Sequence, residues 1–131
     1  MRLVRIGAAG SESPGVLVDD DTIVDLSDVV GDYDENFFAS GALANLGDVV
    51  ADRVRAGRTE PVAGRRFGAP IARPHQILCI GLNYSDHAAE TGQAVPTEPI
   101  LFTKSPNTLI GPDDDVLIPR GSADLINSVV A

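Results

Sequence analysis

The sequence has little cysteine and no long apolar run. Cys79 is the only cysteine among the 131 residues, which excludes an internal disulfide and a cysteine-rich zinc site. No apolar run approaches the roughly 20 residues that a helix needs to cross a bilayer. The N-terminus is basic but lacks the apolar segment of a secretory signal peptide. We therefore expect a cytoplasmic protein without a membrane partner.

Basic residues are scarce, and lysine is the scarcest. Ten Lys and Arg stand against 19 Asp and Glu, which gives a net charge of −9 and a pI near 4.4. An acidic surface repels phosphate backbones, so we expect no nucleic-acid partner. Salt screens such self-repulsion, and the pattern predicts a halophilic or high-GC source. Lys104 is the only lysine; it is either a functional residue or an ordinary surface lysine.

The length leaves room for one ordinary domain, or for a small domain and part of another. With 44% hydrophobic residues the chain should be globular, and its mixed patterns predict the α+β class. We interpret residues 1–68 as a small N-terminal domain of short antiparallel strands and helices. Residues 69–131 then begin a second domain, and the Pro-, Gly- and Arg-rich stretch 61–74 marks the boundary.

Apolar periodicity predicts the elements of both parts. Alternation predicts strands over 2–6, 16–18, 23–26, 77–80, 100–103 and 116–119. Ser27 as an N-cap predicts a short helix to Tyr33. Helical spacing predicts further helix up to Ala56, interrupted at Gly41, and a helical turn is expected over 85–91. The apolar C-terminal residues carry no closing signal, so we expect a chain that is cut short.

The segment from Gln76 to Lys104 concentrates the reactive side chains. His87 and Glu90 lie three residues apart, a spacing that places both on one face of a helix. A carboxylate hydrogen-bonded to an imidazole fixes its tautomer and raises its basicity, so this pair is suited to activate a water. An exposed helix pair without catalytic function is the alternative.

Each of the neighbouring polar residues has a functional interpretation and a simpler structural one. Asn83 and Tyr84 follow a strand end, where they are placed to bind an oxyanion or a substrate; Asn83 alternatively serves the turn geometry alone. Asp86 is a metal ligand or, more simply, the cap of the following helix. Cys79 lies in an apolar strand and is interpreted as an inert core residue rather than a nucleophile.

Three consecutive aspartates occur twice, at Asp19–Asp21 and at Asp113–Asp115. Three adjacent carboxylates cannot all converge on one ion, so solvated turns are the simpler interpretation. A metal site built from these turns is the alternative.

Residues 76–122 resemble a known family. The stretch IGLNYSDHAAE at 80–90 is similar to the GLNYxxHAxE signature of the fumarylacetoacetate hydrolase family. This family includes fumarylacetoacetate and acylpyruvate hydrolases, oxaloacetate decarboxylases, hydroxyheptadienedioate isomerases and chains labelled ureidoglycolate lyase. Residues 1–70 resemble the variable N-terminal domain of its bacterial branch more loosely. Further similar segments are VPTEPILFTK at 95–104, LIGP at 109–112 and IPRGS at 118–122.

The resemblance implies a fold and a chemistry. Residues 69–131 would be the first strands and the lid helix of an incomplete β-roll domain of this family, which is typically homodimeric. His87 and Glu90 would activate a water for attack on a 1,3-dicarbonyl or 2-oxo/2-hydroxy-dienoate acid. A bound Mg²⁺ or Mn²⁺ would act as Lewis acid. The lysine after the second strand, here Lys104, would face the charge of the substrate, beside the substrate-binding residues Asn83 and Tyr84 proposed above.

The sequence departs from the family after Ser122. In the family a Glu-x-Glu strand and a later Asp hold the metal, whereas residues 123–131 contain a single carboxylate, Asp124. One carboxylate is too few for an octahedral Mg²⁺ site, so we expect no metal ligands in this chain and no activity from it alone. The alternative is a non-enzymatic remnant that acts as a binding or dimerisation module.

Overall fold

Short antiparallel strands and two helices make up the computed structural model, which describes residues 1–84, 92, 94–118 and 120–121. This confirms the α+β class; the assignment of residues 69–131 to an incomplete β-roll stays a prediction. The elements in chain order are β1 (Arg2–Ile6), β2 (Ser13–Leu17), β3 (Thr22–Asp25), α1 (Glu35–Ala39), α2 (Leu43–Arg55), β4 (Glu60–Pro61), β5 (Ile77–Gly81), β6 (Ile100–Lys104) and a 3-10 turn at Pro106–Thr108.

The first sheet contains β1 to β4 in sequence order, all antiparallel. Val16 of β2 lies directly opposite Val24 of β3, and both side chains are buried. β-Branched residues paired in this way pack well across a pleated sheet. The predicted strands at 2–6, 16–18 and 23–26 are therefore confirmed within one to three residues at their ends.

The hydrophobic core lies between this sheet and the helices, with Tyr33 at its centre. Tyr33 has no exposed surface, and its ring packs edge-on against Phe37 at 5.0 Å. Its hydroxyl donates a hydrogen bond of 2.8 Å to the carbonyl of Gly15, which satisfies the one polar atom that this ring buries. The residues of the core cluster are Val16, Val24, Leu26, Val30, Tyr33, Phe37 and Leu46.

The helix expected from Ser27 to Tyr33 is wrong, because the chain forms turns there. The backbone amides of Val29 and Val30 both donate to the carbonyl of Leu26, which closes one turn that does not continue. The helix begins later, because the side chain of Asp34 accepts a hydrogen bond from the amide of Phe37 and caps α1.

α2 is fixed to the sheet by a buried arginine. The side chain of Arg53 donates hydrogen bonds to the carbonyl of Asp25 at 2.7 Å and to the carboxylate of Asp28 at 2.6 Å. The hydrogen bond from Arg53 holds the pKa of Asp28 below its usual value, against the opposing effect of partial burial. α2 ends at Arg55, one residue before the predicted end.

The Pro-, Gly- and Arg-rich stretch has little regular structure, as predicted, but it is bound to β1. Phe67 forms a bridge with Ile6, and the amide of Gly68 donates to the carbonyl of Arg5 at 2.8 Å. The stretch therefore extends the first sheet at its β1 side. The division of the chain at 68/69 stays a prediction.

The second sheet in the described part of the chain is the hairpin β5–β6. Ile77 lies opposite Lys104 and Gly81 opposite Ile100, which confirms the predicted strands at 77–80 and 100–103. The strand expected at 116–119 is wrong for 116–118, which are irregular and exposed. An apolar run forms a strand only when a neighbouring strand pairs with its backbone amides and carbonyls. Residue 119 and the helical turn predicted at 85–91 lie outside the described residues.

Among the described residues, no helix combines the length and apolar character that crossing a membrane requires.

Candidate active site

Asn83 and Tyr84 leave the hairpin at the end of β5, where the backbone takes an unusual conformation. Leu82 has φ of 50°, in the left-handed region that non-glycine residues rarely adopt. Asn83 is exposed, and 71% of Tyr84 is exposed. Backbone strain of this kind clusters at functional sites. The turn thus presents two hydrogen-bonding side chains to solvent beside the signature segment.

His87 and Glu90, the predicted water-activating pair, lie outside the described residues, and so does Asp86. Their roles stay predictions that rest on spacing and on the resemblance.

Lys104 lies at the other end of the hairpin from Asn83. It lies opposite Ile77, and Ile77 is four residues before Gly81, the last residue of β5. At a rise of about 3.4 Å per residue, about 14 Å of strand separates Lys104 from the turn. Its side chain is partly buried, on the face that also carries Cys79 and its cross-strand neighbour Phe102. The structure does not bring Lys104 and Asn83 together.

Cys79 is a free, partly buried cysteine in the middle of β5. Its strand neighbours are apolar, but Cys79 is only partly buried and is not among the core residues. The interpretation that it is not a nucleophile stays a prediction.

The acidic turns are held by hydrogen bonds and ion pairs. Asp19 accepts from the amide of Asp21 at 2.9 Å, and this hydrogen bond lowers the pKa of Asp19. Asp20 pairs with Arg2 at 2.7 Å. In the described part of the chain, no three His, Cys, Asp or Glu side chains are grouped as a metal ion needs. The expected absence of metal ligands from this chain stays a prediction.

A cluster of charged residues, here called the Arg66 cluster, joins the first sheet to the segment after β6. The guanidinium of Arg66 donates to both carboxylate oxygens of Asp114, at 2.7 and 2.5 Å, and to Glu12 at 2.9 Å. Arg5 pairs with Asp32 at 2.6 Å and approaches Glu12 at 3.6 Å. A pair of parallel Arg–carboxylate hydrogen bonds fixes the relative orientation of the two side chains and is stronger than a neutral hydrogen bond.

The Arg66 cluster lines a cavity of about 660 Å³ between the two parts of the chain. Burial acts to raise the pKa of Glu12, but the hydrogen bond from Arg66 and the charge of Arg5 outweigh it, so that the pKa lies below its usual value. The hydrogen bonds from Arg66 likewise lower the pKa of Asp114. Sequence reasoning missed this cluster, because its hydrogen-bonded side-chain partners are 27 to 54 residues apart.

Acidification should loosen the Arg66 cluster. The pKa values of Asp114 and Glu12 are lower in the folded state than in the unfolded chain, so the stability they contribute is complete above their unfolded values near 4. It is lost as the pH falls through their folded pKa values, because the unfolded state then binds more protons. Amide hydrogen exchange of Gly111, Asp113 and Asp114, compared with that of β2, should therefore accelerate selectively below about pH 4. Asp114→Asn should remove most of this dependence, and an unchanged acid response in that variant would contradict the assignment.

Gly111 allows the segment that carries Asp114 to approach the first sheet. A Cβ at Gly111 would lie 2.1 Å from the carbonyl oxygen of Phe67, a backbone atom that no rotamer change can move. Gly111→Ala should therefore displace this segment and lower the free energy of unfolding by about 1–3 kcal/mol, measured by urea denaturation. Gly31→Ala is the control, since its added methyl group meets open space; equal effects of the two variants would refute the close approach.

Comparison with known proteins shows what this sequence is similar to. Residues 76–127 match the family model described as fumarylacetoacetate (FAA) hydrolase C-terminal. A provisionally named hydrolase of Burkholderia ambifaria (strain MC40-6) is 41% identical over 122 residues, which are 93% of this chain and 42% of the relative. Provisionally named hydrolases of Burkholderia lata and Burkholderia multivorans are 39% and 40% identical with the same coverage.

The chain spans 42% of the length of the curated relatives it matches. Its match to the family model includes the whole signature at 80–90 and both strands of the hairpin. Residues 76–127 are therefore similar to the fumarylacetoacetate hydrolase family, and nearly the whole chain is similar to a part of these relatives.

Proposed function

We propose that this chain is the part of a cytoplasmic hydrolase of the fumarylacetoacetate hydrolase family that activates water. Its substrate would be a 1,3-dicarbonyl or a 2-oxo/2-hydroxy-dienoate acid, cleaved or rearranged by hydrolase, isomerase or lyase chemistry. The observation that carries this function is the signature at 80–90 within the matched segment 76–127. It follows a strand that ends in a strained turn at Leu82.

The proposed step begins with His87. Its imidazole takes a proton from a water whose oxygen attacks the substrate carbonyl, while Glu90 holds the ring in the correct tautomer. In the hydrolytic case the bond between the attacked carbonyl carbon and its neighbouring carbon breaks. The carbanionic carbon then accepts the proton that His87 took from the water, which regenerates the base. Asn83 and Tyr84, exposed beside the signature, would donate hydrogen bonds to the substrate's oxygens.

The divalent metal and Lys104 have weaker support. Mg²⁺ or Mn²⁺ would polarise substrate oxygens if it were bound. Among the described residues, no three His, Cys, Asp or Glu side chains are grouped to hold it. The role of Lys104 in binding the substrate rests on its match to the motif, since it lies at the far end of the hairpin from Asn83.

A graft tests the proposed function. The residues of the Burkholderia ambifaria relative that match this chain up to Ser122 are replaced by those of this chain. The relative's own sequence then follows Ser122, and the product is here called the graft. Acylpyruvates, oxaloacetate and 2-hydroxy-dienoates are then assayed with Mg²⁺ or Mn²⁺. We expect turnover by the graft and none by the chain alone. Turnover by the chain alone, or a folded graft that is inactive on the whole panel while the relative is active, would overturn the proposed function.

A binding or dimerisation module is the second candidate, and one observation favours it. Large apolar side chains of the hairpin are exposed, among them Leu78 and Leu101 at 67% each, and surfaces of this kind mark interaction sites. A well-folded monomer in size-exclusion chromatography with light scattering would count against dimerisation.

A further inference from the structure

The chain segments before and after the hairpin β5–β6 are both held at residues 66–68, beside β1. Before the hairpin, the amide of Gly68 donates to the carbonyl of Arg5 at 2.8 Å. After the hairpin, the guanidinium of Arg66 donates to both carboxylate oxygens of Asp114. Arg66 and Asp114 are 48 residues apart, and the hairpin and the whole signature lie between them. The Arg66–Asp114 pair, here called the clasp, therefore closes a long loop at one point of the first sheet.

The clasp is built to hold a fixed geometry. Its two hydrogen bonds measure 2.7 and 2.5 Å, and Asp114 also accepts from the amide of Gly111 at 2.8 Å. Only 29% of the Arg66 side chain and 25% of the Asp114 side chain are exposed. Parallel bonds to a guanidinium fix orientation, and a partly buried pair is screened less than a surface pair. The segment that carries Asp114 is thus immobilised against the first sheet.

This immobilised segment begins at Lys104. Lys104 ends β6 and precedes Asp114 by ten residues. The amide and the hydroxyl of Thr108 both donate to the carbonyl of Ser105, at 3.0 and 2.7 Å. The amide of Asp114 closes a second turn on the carbonyl of Gly111 at 3.2 Å. Because hydrogen-bonded turns restrict the intervening backbone, fixing Asp114 also restricts where Lys104 lies.

The segment before the hairpin approaches the same end of it. Ile77 lies directly opposite Lys104, and the amide of Ala72, five residues earlier, donates to the carbonyl of Tyr33 at 2.9 Å. Residues of both segments line the cavity described above. The side chain of Lys104 is partly buried at this end of the hairpin. Lys104 is therefore the site residue whose position depends most directly on the clasp.

We infer that Arg66 and Asp114 are positioning residues: their clasp determines where the ammonium group of Lys104 lies, and so where the negative charge of an acid substrate binds. A lysine has a flexible stem and offers a point charge, so its backbone must be held for the charge to have one position. Small displacements of a binding group weaken substrate positioning strongly. The inference rests on the proposed function through Lys104 and does not depend on His87.

The first test needs no catalysis. Lys104 is the only lysine, so acylation by sulfo-N-hydroxysuccinimide acetate, followed by mass spectrometry, reports on its ammonium group, with the N-terminal amine as internal reference. In the chain alone, Asp114→Asn should accelerate acylation of Lys104 roughly threefold or more, because local opening exposes it. Asp113→Asn is the matched control, since it removes the same charge from an exposed neighbour, and should leave the rate unchanged. Equal rates in Asp114→Asn, Asp113→Asn and the unchanged chain would overturn the inference. Circular dichroism checks that both variants are folded.

The second test is a double-mutant cycle in the graft, on the best substrate of the panel. Lys104→Met should raise KM by about 10- to 100-fold, as expected for a lost charged hydrogen bond. Asp114→Asn should raise KM by up to about tenfold with little change in kcat. In the Lys104→Met background, Asp114→Asn should raise KM no further, because the group that it positions is absent.

The outcomes separate this inference from the proposed function. An undiminished effect of Asp114→Asn on KM in the Lys104→Met background would overturn the inference, since a merely structural effect does not require Lys104. An unchanged KM in Lys104→Met would also overturn it and would leave the role of His87 to its own test. A folded graft that is inactive on the whole panel would refute the proposed function, and the acylation rates then still decide whether the clasp positions Lys104.

Discussion

His87→Ala in the graft is expected to lower turnover by about 100- to 10,000-fold, the usual contribution of a positioned general base. Without the imidazole, no side chain accepts the proton of the attacking water, and the reaction must use hydroxide from solution. The loss should be in kcat, because the imidazole acts on the water and holds no substrate group in the ground state. Steady-state kinetics on the best substrate of the panel would measure it.

The chain offers a matched control in its other histidine. His75 is exposed and pairs with Glu35 at 3.2 Å, outside the signature. His75→Ala should therefore keep the kcat of the graft within about twofold, far inside the general-base range. Circular dichroism should show that both variants keep the fold. If the two substitutions have similar effects on kcat, His87 is not the base, and the signature match alone would no longer support the proposed step.

The sequence-based predictions succeeded where structure is determined locally. Strands β1, β5 and β6 and the C-terminal end of α2 lie within a residue or two of the predicted positions, because alternation and helical periodicity directly report a buried face. The errors have a different origin. The turn after Leu26 did not continue into a helix because the cap is at Asp34, and residues 116–118 lack a strand beside them among the described residues.

The candidate site was predictable in part for the same reason. The signature at 80–90 is contiguous, so its resemblance to the family is visible from sequence alone. The left-handed backbone at Leu82 had no sequence signal, because a leucine rarely adopts this conformation. The Arg66 cluster had no sequence signal, because Arg66 meets Glu12 and Asp114 only after the first sheet has formed.

The first sheet and its core support the Arg66 cluster. We expect the stability of this sheet and core to depend most on Tyr33. Tyr33→Ala removes a side chain with no exposed surface, together with its edge-on contact to Phe37. Truncation of buried aromatic residues costs about 3–5 kcal/mol. Since a domain of this kind has about 5–15 kcal/mol in all, we expect the variant to be largely unfolded at 37 °C or close to its melting transition.

Tyr33→Phe separates the ring from the hydroxyl. It keeps the packing against Phe37 but deprives the carbonyl of Gly15 of its 2.8 Å hydrogen bond, which should cost about 1–3 kcal/mol. Urea denaturation of both variants would give the two values on one scale. If Tyr33→Ala proves no more destabilising than Tyr33→Phe, the ring contributes little and the core must be centred elsewhere. If Tyr33→Ala is the more destabilising of the two variants, the packing of this one aromatic ring stabilises the first sheet. The Arg66 cluster is bound to that sheet and holds the segment after β6 through Asp114.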